Sequence, residues 1–171
     1  AHISDLQSSL EIIRQEVDGL AHIWYRKASI STESDLEFMQ SKKIFVIPTL
    51  SVITKLIDHS KQIGLEENYL TKAALKAEIQ KIHAAGIPIL AGTDSPNFNM
   101  DYSTQYFEEL QLLNECGLTA VEVLQTATVN IYKHFQLEEF SQLKKGSPSS
   151  FILIKGQPHE HIEEVANSKR V

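Results

Sequence analysis

The sequence predicts an α/β fold with parallel strands, on three observations. Short apolar runs alternate with stretches of helical periodicity, and the changes of period fall at Gly, Pro or capping residues. One apolar run, Ile87-Pro88-Ile89-Leu90-Ala91-Gly92-Thr93-Asp94, follows a helix-like segment closed by Gly86 and ends on a carboxylate. Strands separated by helices pair in parallel through right-handed crossovers. Two architectures satisfy the pattern, an open doubly wound sheet and part of a (β/α)8 barrel. No strand is followed by a Gly-rich phosphate turn, which counts against a nucleotide-binding open sheet. A whole barrel needs roughly 250 residues, so a chain of 171 has room for about half of one.

The elements follow in order. Ser4 is placed to cap a helix through about Glu16, with Leu6, Leu10 and Ile13 at helical spacing. Val17 to Ile23 then reads as a short strand. Thr32 or Ser31 caps a helix that carries Leu36 and Met39 inward and ends near Ser41. Ile44 to Leu50 is apolar, as in a strand covered on both faces. Helical patterns run from Val52 to about Ile63 and from Glu66 to Ala85, with Gly64 between them. Pro88 to Thr93 is the next strand, and Pro at its first position is tolerated because no ladder donor is needed there. After a polar loop from Ser95 to about Tyr102, a helix covers Thr104 to Glu115 and stops at Gly117. Thr119-Ala120-Val121-Glu122 is a capping box that opens a helix to about Phe135. Ser150 to Lys155 is a late strand, closed by Gly156-Gln157-Pro158.

Composition narrows the function. The net charge of −6 is spread along the chain, which offers no footprint for nucleic acid and suits a small-molecule substrate. No apolar run approaches the roughly 20 residues that span a bilayer, so no membrane partner is expected. No signal peptide opens the chain, and a cytoplasmic location is expected. The single cysteine, Cys116, excludes an internal disulfide or a thiolate metal cluster and reads as a small buried residue on a helix. Ala1 is followed at once by a histidine with no strand before it, and Val171 stops in mid-pattern, as in a piece of a longer protein.

The chemistry-bearing residues sit at strand ends. His22 lies near the end of Asp18-Gly19-Leu20-Ala21-His22-Ile23, Asp94 ends a later strand, and His2 stands where an earlier strand would finish. Two imidazoles and a carboxylate at the carboxyl ends of parallel strands converge on one face and suit zinc or a similar divalent ion. Alone, each has a plainer reading: a hydrogen-bonded rim histidine for His22, a turn-capping aspartate for Asp94. Their order and spacing carry the argument.

In these residues the chain resembles the carboxyl-terminal part of a metal-dependent amidohydrolase of the imidazolonepropionase-like branch. The resemblance rests on His2 and His22 about twenty residues apart, on Val17-Asp18-Gly19-Leu20 before His22, and on Ile47-Pro48-Thr49-Leu50. Ala84-Ala85-Gly86-Ile87-Pro88 leading to Gly92-Thr93-Asp94 extends it, as do Glu109-Leu110, Cys116-Gly117-Leu118-Thr119 and Ala127-Thr128-Val129-Asn130. It implies the C-terminal half of a (β/α)8 TIM barrel, strands 6 to 8 with their helices and the residue at the end of strand 5, over residues 1–145. Residues 146–171 would then contribute one strand to an accessory β-sandwich. It further implies a divalent metal, most simply zinc, held by His2, His22 and Asp94. Asp94 would also be the base that activates water for hydrolysis of an amide or cyclic amide C–N bond. The rest of the site would lie in a missing N-terminal half, so the isolated chain is expected to self-associate and to lack activity.

Two departures stand out. Ser149-Ser150 replaces the Ala-Asp that opens the family's last strand, and Trp24-Tyr25-Arg26-Lys27 is bulky and basic. Trp24 is a candidate substrate contact, against the alternative of a core or rim filler. His159-Glu160-His161 has a ligand-like form but lies past the last strand and reads as a surface turn. His59, His83 and His134 fall on helices as surface or packing residues, and Glu66-Glu67 and Glu108-Glu109 read as solvated helix charges. The rival functions are a non-catalytic module that keeps the fold without the metal, and a phosphotransferase with Asp94 as acceptor. The latter needs a second acidic cluster, for which the chain offers only Asp18 and Asp101.

Overall fold

The computed structural model describes residues 1–26, 29–97 and 101–169. Lys27 of the basic loop, residues 98–100 of the polar loop and the last two residues lie outside these ranges.

Four extended segments lie side by side in chain order, all parallel. The first is the start of the chain: Ala21 N–H donates to the Ala1 carbonyl at 2.6 Å and Ile3 N–H to the Ala21 carbonyl at 3.1 Å. The second and third are strands β1 (Gly19–Ala21) and β2 (Phe45–Ile47), paired Gly19 to Phe45 and Ala21 to Ile47. The fourth bonds to β2 through Val46 N–H to the Pro88 carbonyl and Leu90 N–H to the Val46 carbonyl, both 2.9 Å. Close approach is secured at two glycines. A Cβ on Gly19 would lie 2.4 Å from the Phe45 ring, and one on Gly92 2.6 Å from Cγ2 of Ile47.

The strands are shorter than the apolar runs that encode them, for a backbone reason. The runs Val17 to Ile23 and Ile44 to Leu50 keep three strand residues each, because the ladder stops where His22 and Thr49 take left-handed backbone at φ 74 and φ 52. Leu50 already opens the next helix. Pro88 to Thr93 makes only a bridge at Ile89, since its far side is met by helical residues: Ala91 N–H donates to the Thr126 carbonyl, and Asn130 Nδ2 donates to the Ile89 carbonyl.

Among the described residues seven α-helices accompany this sheet: α1 (Leu6–Ile13), α2 (Glu33–Ser41), α3 (Leu50–Gln62), α4 (Lys72–Ala84), α5 (Thr104–Glu115), α6 (Ala120–Thr126) and α7 (Val129–His134). Thr32 caps α2 in a box with Asp35, and Thr119 caps α6 in a box with Glu122, the latter as the sequence predicts. Asp5, one residue past the expected Ser4, caps α1 through Ser8 N–H at 2.8 Å. The expected helix from Glu66 to Ala85 is a 3-10 turn, Glu66–Asn68, then α4 capped by Thr71. It breaks because Leu70 N–H is drawn to the Tyr25 carbonyl at 2.8 Å. The expected helix to Phe135 breaks at Thr128, just past the point where the Thr126 carbonyl turns to Ala91. Among the described residues no helix is long and apolar enough to cross a membrane.

The core lies between the sheet and the helices, with Ile13, Leu20, Met39, Val46, Ile53 and Ile82 wholly or almost wholly buried. Two carboxylates are buried with them. Glu78 on α4 accepts from the Trp24 indole N–H at 2.8 Å, from Ser31 N–H at 3.0 Å and from Lys81 Nζ at 2.7 Å. Glu109 on α5 accepts from Leu50 N–H at 2.9 Å and Ser51 N–H at 2.7 Å. The expectation of two solvated charges at Glu108-Glu109 therefore holds only for Glu108, which pairs with Lys55 at 2.7 Å. Glu109 shares the inward face of α5 with Leu110 and Leu113, and its partners are more than fifty residues away.

The carboxyl end is also shorter in strand than expected. Among the described residues only Leu153–Ile154 (β3) pairs, antiparallel, with Ser168–Lys169 (β4). Phe151, Ile152 and Leu153 stay exposed, since no second sheet covers them among the described residues. Ile162 and Val165, on the 3-10 turn before β4, anchor the segment in the main core against α5. His159 and His161 are exposed on a turn, as expected.

Burial pushes the Glu109 carboxyl up from an ordinary value of 4.5 to about 7, against the pull of the two backbone N–H bonds. Glu108 beside it adds to the rise, and of its other neighbours Tyr106 and Cys116 are held at about 12 and about 11 and keep their protons through this range. A raised carboxyl binds its proton more tightly in the folded chain. Its contribution is full below pH 4.5 and is lost as pH rises through 7. Urea unfolding should show stability falling across this window by about 3 kcal/mol, and Glu109→Gln should abolish that part of the slope. A slope unchanged in the variant would show that Glu109 does not titrate there.

Candidate metal centre

Three of the four extended segments end on a residue with left-handed backbone: His22 at φ 74, Thr49 at φ 52 and Asp94 at φ 60. Left-handed backbone is uncommon in residues other than glycine and collects at functional sites. Each turn ends an extended segment and releases the next residues into a loop or helix, so the three side chains stand at neighbouring places on one rim.

His22 is the best held of them. Its backbone N–H donates to the Ile47 carbonyl at 2.8 Å, and Nδ1 lies 2.6 Å from the Thr49 hydroxyl. Nε2 faces Oδ2 of Asp94 at 3.9 Å. His2 meets the same ring edge to face, with ring centroids 4.3 Å apart and planes at 88°. Burial, and then the neighbouring His2, pull the His22 pKa below its ordinary 6.5, and Asp94 opposes them. The neutral imidazole is therefore favoured, which is the form that can ligate a metal. Asp94 is more open, and its Oδ2 accepts from Asn97 Nδ2 at 3.0 Å.

These residues border one cavity of about 290 Å³, lined by His2, His22, Tyr25, Val52, Ile53, Leu56, Asp94 and Asn97. One wall is aliphatic and comes from α3, and the opposite side is polar. The structure thus brings His2, His22 and Asp94 together. It places Trp24 elsewhere, wholly buried with its indole N–H on Glu78, and Tyr25 takes the cavity position, stacked on Tyr69 at 6.1 Å. Asp101 is occupied at the start of α5, where bonds from Thr104 and Ser103 hold its carboxyl well below the usual range.

The donors fit a divalent ion such as zinc in kind, two imidazoles and a carboxylate. They fall short in closeness: among the described residues no three His, Cys, Asp or Glu side chains gather tightly enough to hold an ion. Thr49 and Asn97 were not legible as site residues. Thr49 follows Pro48 at a strand end, a weak positional signal, and its left-handed turn has none.

Solved structures share this fold. A Xaa-Pro dipeptidase with bound methionine superposes with a TM-score of 0.78 at 20% identity, over 98% of this chain and 41% of that one. A putative prolidase from Bifidobacterium longum gives 0.76 at 20% identity, over 97% and 43%. The A. niger ochratoxinase gives 0.72 at 24%, over 96% and 36%. The chain thus spans about two fifths of the length of the solved proteins it matches. No curated protein matches the sequence. The sequence model of the amidohydrolase family matches residues 12–171, nearly the whole chain. The chain belongs to the amidohydrolase family.

Proposed function

We propose that this chain forms part of the metal centre of a hydrolase that cleaves a C–N bond, an amide or a cyclic amide. The observation that carries the reading is the meeting of His2, His22 and Asp94 around one cavity at the ends of adjacent parallel segments. In this reading the four segments are the end of barrel strand 5 and strands 6, 7 and 8, and β3 belongs to an accessory sandwich. The remaining ligands come from chain outside these 171 residues, which agrees with the short span of the match. The family relationship supports hydrolysis, and the dipeptidase among the structural neighbours supports an amide-type bond.

His2, His22 and Asp94 would hold the ion. A divalent ion, most simply zinc, supplies Lewis-acid polarisation of the scissile carbonyl and acidifies a water when bound. His22 presents Nε2 to the cavity because Nδ1 is committed to Thr49. Asp94 accepts the proton that the attacking water loses and delivers it to the leaving nitrogen. Tyr25 and the aliphatic side chains of α3 wall the cavity and limit bulk water. A non-catalytic module is the second reading, favoured by the lack of a three-donor cluster among the described residues.

In the protein that carries this chain, Asp94→Ala should lower kcat on amide substrates at least about 100-fold and reduce bound metal measured by emission spectroscopy. His22→Ala should reduce metal content as well. A panel of dipeptides, including Xaa-Pro, and of imidazolone-type and other cyclic amides tests the reaction class. Unchanged metal content and turnover in Asp94→Ala would overturn the assignment, and a metal-free parent inactive on the whole panel would favour the non-catalytic module.

The chain by itself exposes Leu143 at 84% and Leu153 at 58%, beside Phe151 and Ile152. Apolar surface of this kind favours association. Light scattering on the purified chain should show self-association, and assays should show no turnover. A monodisperse monomer contradicts the first expectation and measurable hydrolysis the second.

A further inference from the structure

Thr49 stands between two buried groups, one of which the proposed reaction does not use. Its hydroxyl lies 2.6 Å from Nδ1 of His22, and its carbonyl opens α3 by accepting from Ile53 N–H at 3.2 Å. A threonine at this position ordinarily has extended backbone and turns its hydroxyl back onto the first turn of the helix. Thr49 does neither. Its φ and ψ are 52° and 47°, and its side chain makes no cap bond to α3.

The cap comes instead from α5. Glu109, with no exposed surface, accepts from the N–H groups of Leu50 and Ser51, one with each carboxylate oxygen. These are donors at the start of α3 that have no partner within the helix. A β-branched residue in left-handed backbone is strained and persists only where its surroundings hold it. Here they hold it from both sides: His22 N–H and Ile23 N–H bond the Ile47 and Pro48 carbonyls before Thr49, and Glu109 clamps the two N–H groups after it.

The Thr49 hydroxyl has two competing uses. It can cap α3 from extended backbone, or it can meet His22 from left-handed backbone. Glu109 makes the first use redundant. We propose that Glu109 is a positioning residue for His22: by capping α3 in place of Thr49, it frees the Thr49 hydroxyl to hold the imidazole at Nδ1 and so presents Nε2 to the cavity. The consequence for metal binding rests on the reading of His22 as a ligand, whereas the geometric claim does not. Partners that orient a ligating histidine typically change metal affinity 10- to 100-fold when removed.

The test uses the full-length protein that carries this chain, with two readouts. The first is the pair of His22 ring nitrogen shifts by NMR in the metal-free protein, which report which ring nitrogen carries the proton. The second is zinc affinity by competition with a chromophoric chelator. Thr49→Val should move the two ring shifts toward each other, as the tautomer is released, and weaken zinc binding 10- to 100-fold. Thr49→Ser should restore both. Glu109→Gln, which keeps one acceptor and sets an amide against the other N–H, should move both readouts the same way by a smaller factor. In the Thr49→Val background it should move neither, although it still lowers Tm. Should Glu109→Gln fail to fold, Glu109→Asp keeps the charge with a shorter reach and is read identically.

The inference is overturned if either Glu109 variant lowers Tm but leaves the ring shifts and zinc affinity in place. It is equally overturned if the effect of Glu109 on the ring is undiminished in the Thr49→Val background. If His22→Ala leaves zinc affinity unchanged, the ligand assignment fails, and the metal-free ring shifts still decide whether Glu109 positions the imidazole.

Discussion

The site depends on a backbone constraint repeated at the ends of three extended segments. His22, Thr49 and Asp94 each take left-handed backbone where an extended segment would otherwise continue. Such a residue is unfavourable by itself, so each must be held by bonds on either side. The last rungs of the parallel ladder do this upstream, with His22 N–H on the Ile47 carbonyl and Ile23 N–H on the Pro48 carbonyl. Because neighbouring strands lie about 4.8 Å apart, side chains released at matching levels arrive within reach of one another. The short strands, the start of α3 at Leu50 and the meeting of His2, His22 and Asp94 all follow from where the ladder stops.

Downstream, two of these turns are fastened by a buried carboxylate from a later helix. Glu78 on α4 takes the Trp24 indole and the Ser31 N–H, and so ties down the loop that leaves β1 after His22. Glu109 on α5 takes the Leu50 and Ser51 N–H groups after β2. Removing a carboxylate from water is costly, and it becomes tolerable where charge-assisted bonds satisfy the oxygens. Glu78 adds Lys81 as a counter-charge, and Lys81 also reaches the Ser31 carbonyl at 3.0 Å. Glu109 has two backbone donors at a helix start, a place that favours negative charge, and burial still raises its pKa. Packing therefore accepts an electrostatic cost in order to fix the backbone that carries the site.

What was legible in the sequence were the signals that act locally. Thr32 and the Thr119/Glu122 pair announce their helices through bonds spanning three residues, and α5 lies where its periodicity puts it. His22 and Asp94 were legible as strand-end residues because an apolar run has a visible end. Features set by distant partners were not. Glu109 resembles Glu108 beside it until α3 lies over it, and Trp24 resembles a pocket residue until Glu78 claims its indole. The helix expected from Glu66 to Ala85 has an unbroken pattern, and it breaks because Leu70 is needed by Tyr25. The strand at Ser150 to Lys155 is a true apolar run with almost nothing to pair with among the described residues.

The two halves of the site are held in different ways, and the difference suits the work proposed for them. α3 supplies the aliphatic wall through Val52, Ile53 and Leu56, and the residue before its first turn supplies the hydroxyl at His22. Wall and imidazole are therefore both tied to α3, whose start is clamped from α5. Asp94 is held by neighbours in sequence instead: Asn97 Nδ2 on its carboxylate, Asn97 N–H on its carbonyl, and Ser95 N–H on the Thr93 hydroxyl. A histidine that presents one nitrogen gains from a rigid mount, because orientation decides which nitrogen is offered. A carboxylate that takes up and releases a proton changes its bonding in each cycle, and local bonds can reform without disturbing the core. The fold thus places its non-local anchors under the imidazole and leaves the carboxylate on bonds that the surface loop can make again.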